Sequence, residues 1–208
     1  MNAIKLLRAI TLGLLLCAGG VGLLNLYGWY GLASWKNRPE PADDFGPLGK
    51  FDFLASSGGH VTDRDLSGKV CIFGCFFTCC TTQCPALTGS LAKLQSELKD
   101  YADVRIVSLT VDPEHDTPEK LTAYAQTFGA DASRWLFLTG EQAAVEAFVT
   151  KQLKQGVEKN SGAEPGDKFL HSEKLILVDR AGRIRGFFNG IDADELDKLR
   201  QAVKRLHG

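Results

Sequence analysis

The chain has 208 residues, of which 44% are hydrophobic, and its formal net charge at pH 7 is −1. A chain of this length and composition can form one substantial folded domain with an additional segment. Because the charge is close to zero and no cluster of basic residues stands out in the sequence, no nucleic-acid partner is expected.

The N-terminal segment has the pattern of a membrane anchor. Residues 9–35 carry no formal charge and are rich in Leu and Gly, and this length exceeds the ~20 residues that cross a bilayer as a helix. Lys5 and Arg8 precede the uncharged stretch, which predicts that the N-terminus stays in the cytoplasm. We therefore expect residues 1–36 to be a single transmembrane helix in the inner (cytoplasmic) membrane, with the soluble domain facing the periplasm or another extracytoplasmic space. A cleaved signal peptide is the alternative.

Residues 37–49 contain three prolines and are predicted to be an extended linker to a domain over residues 50–208. In that domain, short runs of β-branched and aromatic residues predict strands, and apolar residues at helical spacing predict helices. The predicted strands are Phe51–Leu54, a short one around Val61, Val70–Phe77, Val104–Val111, Trp135–Leu138, Lys174–Val178 and Ile184–Phe188. The predicted helices are Pro85–Tyr101, Pro118–Phe128, Glu141–Gln155 and Asp192–Leu206, and residues 156–168 are predicted to be a flexible loop.

The order of these elements predicts the fold. The first two strands form an N-terminal hairpin, and a strand–helix–strand–helix series then leads to a second hairpin and a closing helix. This order is typical of an α/β sandwich of thioredoxin type.

Three of the six cysteines lie where a buried strand meets a helix. Cys79, Cys80 and Cys84 follow the apolar run Val70–Phe77, and Pro85 suits the first position of a helix, where its missing N–H costs nothing. The N-terminus of a helix carries unpaired N–H groups and a partial positive charge, which favour a thiolate over a thiol. Thiolates are nucleophiles in disulfide exchange and ligands for Cu(I) or zinc.

The spacing of Cys80 and Cys84 leaves both kinds of chemistry open. Residues four apart on a helix have Cβ atoms ~5–6 Å apart, whereas a disulfide needs them at about 3.8 Å. The pair can therefore hold a metal ion directly and form a disulfide only if the loop adjusts. Cys71 and Cys75 alternate with phenylalanines in the predicted strand, and we interpret them as core residues. Cys79 is expected to point away from Cys80.

Among the four histidines, His171 is the candidate third ligand. It shortly precedes the predicted strand Lys174–Val178, and in a thioredoxin-like sheet that segment passes the cysteine loop. Two thiolates and an imidazole suit copper or zinc, and the alternative is a surface histidine at the end of a loop. His60, His115 and His207 are weaker candidates, because they lie in a Gly-rich turn, an Asp-Pro loop and the C-terminal tail.

Three motifs, in this order along the chain, resemble the Sco/SenC family. The first is the run Phe77–Pro85, FTCCTTQCP, and the second is the run Thr110–Pro118, TVDPEHDTP. The third is the pair His171-Ser172 shortly before a strand. The resemblance covers roughly Phe45 to the C-terminus, and the predicted membrane anchor is consistent with it.

The resemblance implies a thioredoxin-like domain in which the two cysteines of a C-x-x-x-C-P motif and a distal histidine bind copper. The corresponding residues in this chain are Cys80, Cys84 and His171. Proteins of this family deliver copper to the dinuclear copper centre of cytochrome c oxidase, or reduce the cysteines that receive it. The expected partners are therefore the copper-site subunit of the oxidase and a thiol–disulfide oxidoreductase.

The sequence also departs from the family pattern. Thr81 stands where the family usually has a proline, and Cys71, Cys75 and Cys79 are additional. Cys79 offers an alternative metal ligand or disulfide partner. Asp112 and Asp116 match the Asp-Pro segment of the family, where capping of the loop and helix is at least as good an interpretation as tuning of the site.

The sequence thus predicts a membrane-anchored, copper-binding metallochaperone for a respiratory cytochrome c oxidase. The first alternative is a thiol–disulfide oxidoreductase that uses Cys80 and Cys84 without a stable metal and depends little on His171. A thiol peroxidase is disfavoured, because Phe77 stands where the Thr-x-x-Cys motif of that class has a proline. A non-catalytic, membrane-tethered interaction domain is the remaining alternative.

Overall fold

The structure, a computed structural model, describes residues 43–81, 83–155 and 173–207. The predicted membrane anchor, the start of the predicted linker, the predicted loop at 156–168 and His171 lie outside these ranges. Within them, no helix combines the length and the apolar character that crossing a bilayer requires.

The described ranges contain seven strands and four α-helices. The strands are β1 (Asp52–Ala55), β2 (His60–Thr62), β3 (Val70–Phe76), β4 (Val104–Thr110), β5 (Trp135–Thr139), β6 (Lys174–Val178) and β7 (Ile184–Asn189). The helices are α1 (Gln83–Glu97), α2 (Pro118–Thr127), α3 (Gln142–Ala147), which continues as a π-helical turn over Phe148–Gln152, and α4 (Ala193–His207).

The strands form one sheet in the order β2-β1-β5-β4-β3-β6-β7. β4 pairs in parallel with β3 and with β5, and α1 and α2 provide the crossovers that parallel neighbours need. β6 is antiparallel to β3 and forms a hairpin with β7 at one edge of the sheet. β1 is antiparallel to β5 and forms a hairpin with β2 at the other edge. This arrangement confirms the predicted thioredoxin-like α/β domain with its N-terminal hairpin.

β3 leads into the cysteine loop, and all seven of its residues are buried. It lies between β4 and β6 in the interior of the sheet, and strands covered on both faces are apolar without alternation. Cys71 and Cys75 are 1% and 6% exposed, and burial raises the pKa of each thiol to about 12. Both are therefore unreactive core residues, as the sequence predicted.

Two helices begin close to their predicted first residues. α1 begins at Gln83, two residues before Pro85, so that Cys84 belongs to the helix. Proline is tolerated there because the first N–H groups of a helix have no intrahelical partner. α2 begins at Pro118, and the side chain of Thr117 caps it by accepting a hydrogen bond from the Lys120 N–H at 3.5 Å.

The described part of the predicted linker is attached to the domain. The Phe45 N–H donates to Ile184 O at 3.0 Å, and the Ile184 N–H donates to Gly46 O at 2.9 Å. Arg183 and Asp44 form an ion pair with a nitrogen–oxygen distance of 2.7 Å, and Leu48 is 5% exposed. The residues just before position 50 therefore cover the start of β7 and belong to the folded unit.

The second hairpin packs closely against α1 at Gly190. A Cβ atom on Gly190 would lie 2.2 Å from Leu87 Cδ1 and 2.9 Å from Leu175 Cγ. The Gly190 N–H also donates to Glu173 O at 2.7 Å. Because Leu87 follows Cys84 by one turn, this contact ties the start of β6 to the part of α1 that carries Cys84.

We expect Gly190→Ala to lower the free energy of unfolding by about 1–3 kcal/mol, the usual cost of overpacking a tight contact. Urea unfolding followed by circular dichroism measures this change. Gly89→Ala is the matched control, because Gly89 lies within α1 and its Cβ would meet no atom within 4 Å. The control is expected to gain ~0.5–1 kcal/mol from better helix propensity. An unchanged unfolding midpoint for Gly190→Ala would contradict the close approach.

Candidate metal and thiol site

The cysteine loop begins with a tight turn at the carboxyl end of β3. The Cys80 N–H donates to Phe77 O at 3.3 Å, so Thr78 and Cys79 occupy the corner of the turn. Cys79 is exposed, whereas Cys80 and Cys84 are only 4% and 5% exposed. The turn therefore directs one thiol to solvent and the next one into the protein.

The structure brings Cys80 and Cys84 together at the first turn of α1. The Cys84 N–H donates to Cys80 Sγ at 3.3 Å, so the sulfur of Cys80 acts as an acceptor for a helix N–H, as N-cap side chains do. The sulfur of Cys80 thus lies at the positive end of the helix dipole. The five cysteines of the described ranges are all thiols.

The Cys84 thiol lies in an environment that favours its protonated form. Burial raises its pKa well above the ordinary value, and the hydrogen bond with Cys80 raises it further. The negative charge of Asp116 acts in the same direction. The pair thus combines a sulfur that accepts a helix N–H with a sulfur that keeps its proton.

Asp116 is the residue that holds the cysteine loop in place. Its side chain is completely buried and accepts hydrogen bonds from the Thr78 N–H at 3.0 Å and from the Thr78 hydroxyl. The Thr110 hydroxyl, at the end of β4, donates to the same carboxylate. The sequence suggested loop and helix capping for Asp116, and the structure adds an anchor between two loops that are 38 residues apart in the chain. No sequence pattern indicated Thr78 as its partner.

A second set of side chains supports the first turn of α1. The Thr88 hydroxyl donates to Cys84 O at 2.7 Å, and the Tyr124 hydroxyl lies 3.0 Å from the Thr88 oxygen. Because Thr88 has a single hydroxyl proton, Tyr124 must be the donor in the second bond. Burial raises the pKa of Tyr124 to about 12, so it remains a donor at neutral pH. No sequence motif marks either residue, although Thr88 follows Cys84 at helical spacing.

Asp112 and His115 form a separate contact in the loop after β4. His115 Nδ1 lies 2.9 Å from the buried Asp112 carboxylate. Together with Glu114 these two residues form a group whose possible ligand atoms, one from each residue, all lie within 4.8 Å of one another. Glu114 and His115 are exposed, and the described contacts are internal to the loop. They account for the shape of the loop, and the group contains no thiol.

The other histidines differ in their surroundings. His60 pairs with Asp52 at 2.6 Å on the N-terminal hairpin, and His207 pairs with Asp103 at 2.7 Å at the end of α4. Neither described contact involves the cysteine loop. His171 lies outside the described residues, two positions before Glu173.

Comparison with known proteins finds relatives that match most of the chain. The family model described as SCO1/SenC matches residues 40–207. The SCO1 protein homolog of Bacillus subtilis (strain 168) is 35% identical over 156 residues, which cover 74% of this chain and 79% of the relative.

Solved structures of related proteins have the same fold. BsSco, described as a member of the Sco family of cytochrome c oxidase assembly proteins with a disulfide switch, has a TM-score of 0.70 at 32% identity. That comparison covers 80% of this chain and 97% of BsSco. ScoI of Bradyrhizobium japonicum, solved with copper bound, has a TM-score of 0.65 at 25% identity, covering 76% of this chain and 98% of ScoI.

We expect Asp116→Asn to lower the pKa of Cys84, because the substitution removes a negative charge that raises it. The pH dependence of Cys84 alkylation by iodoacetamide, read by mass spectrometry, measures the shift. The variant should also lose about 1–3 kcal/mol of unfolding free energy, since an amide cannot accept from all three donors. Asp112→Asn is the matched control, because the described side-chain partner of Asp112 is His115. A folded Asp116→Asn variant with an unchanged Cys84 titration would contradict the assigned coupling.

Proposed function

This chain belongs to the SCO1/SenC family, and on that basis we propose that it is a membrane-anchored copper-binding protein for the assembly of a respiratory cytochrome c oxidase. It binds copper through Cys80, Cys84 and His171. Its role is to deliver copper to the copper-site subunit of the oxidase or to reduce the cysteines of that site. The relationship to BsSco, described as a member of a family of oxidase assembly proteins, supports this role.

The single observation that carries the proposal is the convergence of two buried sulfurs at the start of α1. The Cys84 N–H reaches Cys80 Sγ at 3.3 Å, so the two residues share one turn and their sulfurs are available to one ion. Thiolates are the soft ligands that copper(I) prefers, and burial of both residues keeps water away from them. The donor set present in the chain therefore fits copper.

The position of β6 supports His171 as the third ligand. Leu175 pairs with Gly74 in an antiparallel register, so the chain that precedes Leu175 comes from the end of β3 that carries the cysteine loop. Glu173 is held there by the Gly190 N–H. Two residues of chain span at most ~7 Å, which limits how far His171 can be from Glu173.

Each residue of the site has a separate task in this proposal. Copper would be the cargo, which passes to the partner protein by exchange of ligands. Cys80 and Cys84 would hold the ion, and Cys84 would lose its proton on binding it, because metal ligands must be deprotonated. Asp116 keeps the turn in place through Thr78, and the Thr88–Tyr124 pair supports the backbone at Cys84.

The predicted anchor over residues 1–36 belongs to the same proposal. Lys5 and Arg8 on its N-terminal side orient it with the domain outside the cytoplasm. A copper site in a membrane-bound oxidase and a donor tethered to the same membrane meet at a raised effective concentration. The soluble domain then faces the periplasm or another extracytoplasmic space.

A thiol–disulfide oxidoreductase without stable metal is the second candidate. The observation that favours it is the same pair of thiols, because two cysteines that share one helical turn, with the Cys84 N–H 3.3 Å from Cys80 Sγ, are also an arrangement for disulfide exchange. The disulfide switch described for BsSco is a further argument. This candidate does not need His171.

Removal of a proposed ligand tests the copper site. Substitution of a residue that supports a metal ligand lowers metal affinity roughly 10–100-fold. Cys80→Ser and His171→Ala remove proposed ligands themselves, so each substitution in the full chain should lower the affinity for Cu(I) by more than that. Competition with a Cu(I) chelator gives the affinity, and the thiolate-to-copper absorption reports the site with Cu(II). Cys75→Ala and His115→Ala are the matched controls and should keep the parental affinity.

Two outcomes separate the candidates. If Cys80→Ser and His171→Ala both retain copper as the parent does, the copper proposal is wrong. If the parent itself holds no copper but reduces model disulfides, and His171→Ala does so equally well, the oxidoreductase is the correct function.

A further inference from the structure

The three thiols of the cysteine loop differ in their access to solvent. Cys80 and Cys84 are 4% and 5% exposed, whereas Cys79 is exposed. Among the cysteines of the described residues, Cys79 is the only one at the surface. A molecule that approaches this site from solvent therefore meets the sulfur of Cys79 before either buried sulfur.

This difference is built into the turn that carries the residues. The hydrogen bond from the Cys80 N–H to Phe77 O closes the turn. The backbone and the hydroxyl of Thr78 both donate to the buried carboxylate of Asp116. The turn cannot rotate Cys80 outward without loss of these bonds, so Cys79 stays outside and Cys80 stays inside while the turn is intact.

Access decides the rate of thiol–disulfide exchange, because the attacking sulfur must reach a sulfur of the disulfide. An external disulfide cannot make this approach to Cys80 or Cys84 in the described conformation. Cys79 is exposed and has no such barrier, and it is the residue next to Cys80 in the chain. A group attached to Cys79 is thereby held next to the buried pair at a high effective concentration.

We propose that Cys79 is the exchange thiol of this site, which reacts first with an external disulfide and passes the reaction to the buried pair Cys80–Cys84. The proposal rests on the proposed function only in taking Cys80 and Cys84 as a redox pair. It does not depend on copper binding.

The reaction proceeds in three exchanges. The Cys79 thiolate attacks a disulfide R–S–S–R, forms a Cys79–S–S–R bond and releases one RS⁻. When the bonds between Thr78 and Asp116 open and Cys80 turns outward, the Cys80 thiolate attacks the R sulfur already held on Cys79, forms Cys80–S–S–R and releases the Cys79 thiolate. The Cys84 thiolate finally attacks the Cys80 sulfur, which forms the Cys80–Cys84 disulfide and releases the second RS⁻.

Atoms and electrons balance over the three exchanges. Two protein thiols are oxidised to one disulfide, and one external disulfide is reduced to two thiols. Each attacking thiol gives its proton to solvent, and each released RS⁻ takes one up. The reverse sequence transfers a disulfide from the protein to an external dithiol through the same Cys79 intermediate, and Cys79 is regenerated in both directions.

The test uses the full chain in detergent, free of copper and reduced, with Cys17→Ser as the common background. Glutathione disulfide is the probe, and alkylation followed by mass spectrometry measures formation of the Cys80–Cys84 disulfide over time. Cys79→Ser should slow this rate at least about tenfold, since exchange depends on access, and should leave the final yield of the disulfide unchanged. Cys75→Ala, which changes a buried cysteine outside the loop, should react as the background does.

Two further variants give independent readouts. Cys80→Ser should accumulate a glutathione adduct on Cys79, because the thiol that removes the adduct is missing. Thr78→Ala in the Cys79→Ser background should recover part of the lost rate, because it removes one bond that holds Cys80 inside. The thermal unfolding midpoint of Cys79→Ser should match the background, as expected for an exposed residue.

The outcomes distinguish this inference from the proposed function. If Cys79→Ser forms the Cys80–Cys84 disulfide at the background rate, Cys79 is not the exchange thiol, and the redox pair stands. If the background forms no Cys80–Cys84 disulfide at all, the redox pair fails and the inference fails with it. A stable disulfide between Cys79 and another cysteine as the final product would also overturn the proposed sequence of exchanges.

Discussion

The site depends on the contact between the Asp116 carboxylate and the turn that carries the cysteines. A buried carboxylate is costly unless hydrogen bonds satisfy it, and here the Thr78 N–H, the Thr78 hydroxyl and the Thr110 hydroxyl do so. One group thereby joins the loop after β3 to the loop after β4. Burial is the main cause of the raised pKa of Cys84, and the negative charge of Asp116 acts in the same direction. Asp116 thus holds the loop in shape and adds to the stability of the protonated Cys84 thiol.

The thioredoxin-like sheet supplies the remaining constraints. β3 is buried along its whole length, and this fixes the point at which the chain emerges and turns into α1. The tight contact of Gly190 with Leu87 holds the second hairpin against α1. β6 is therefore held beside the helix that carries Cys84, which is consistent with the proposed role of His171.

The cysteines of the domain fall into three environments, and burial decides the role of each. Cys71 and Cys75 are core residues with pKa values raised to about 12. Cys80 and Cys84 are buried as well, but they lie at the N-terminus of a helix, where a donor meets the sulfur of Cys80. Cys79 alone among the described cysteines is exposed. Adjacent residues of the same type can therefore have separate chemical roles in one loop.

The sequence by itself determined the strands and helices, the core role of Cys71 and Cys75, the thiol loop and the family. These features depend on local patterns, namely apolar periodicity, turn residues and motif spacing, and the element boundaries accordingly differ by only a few residues. Only the tertiary structure decided that Asp116 anchors Thr78. It also decided that Tyr124 and Thr88 support the backbone at Cys84. The physical reason is that these contacts join residues up to 38 positions apart, and a pattern within one segment carries no information about partners in another.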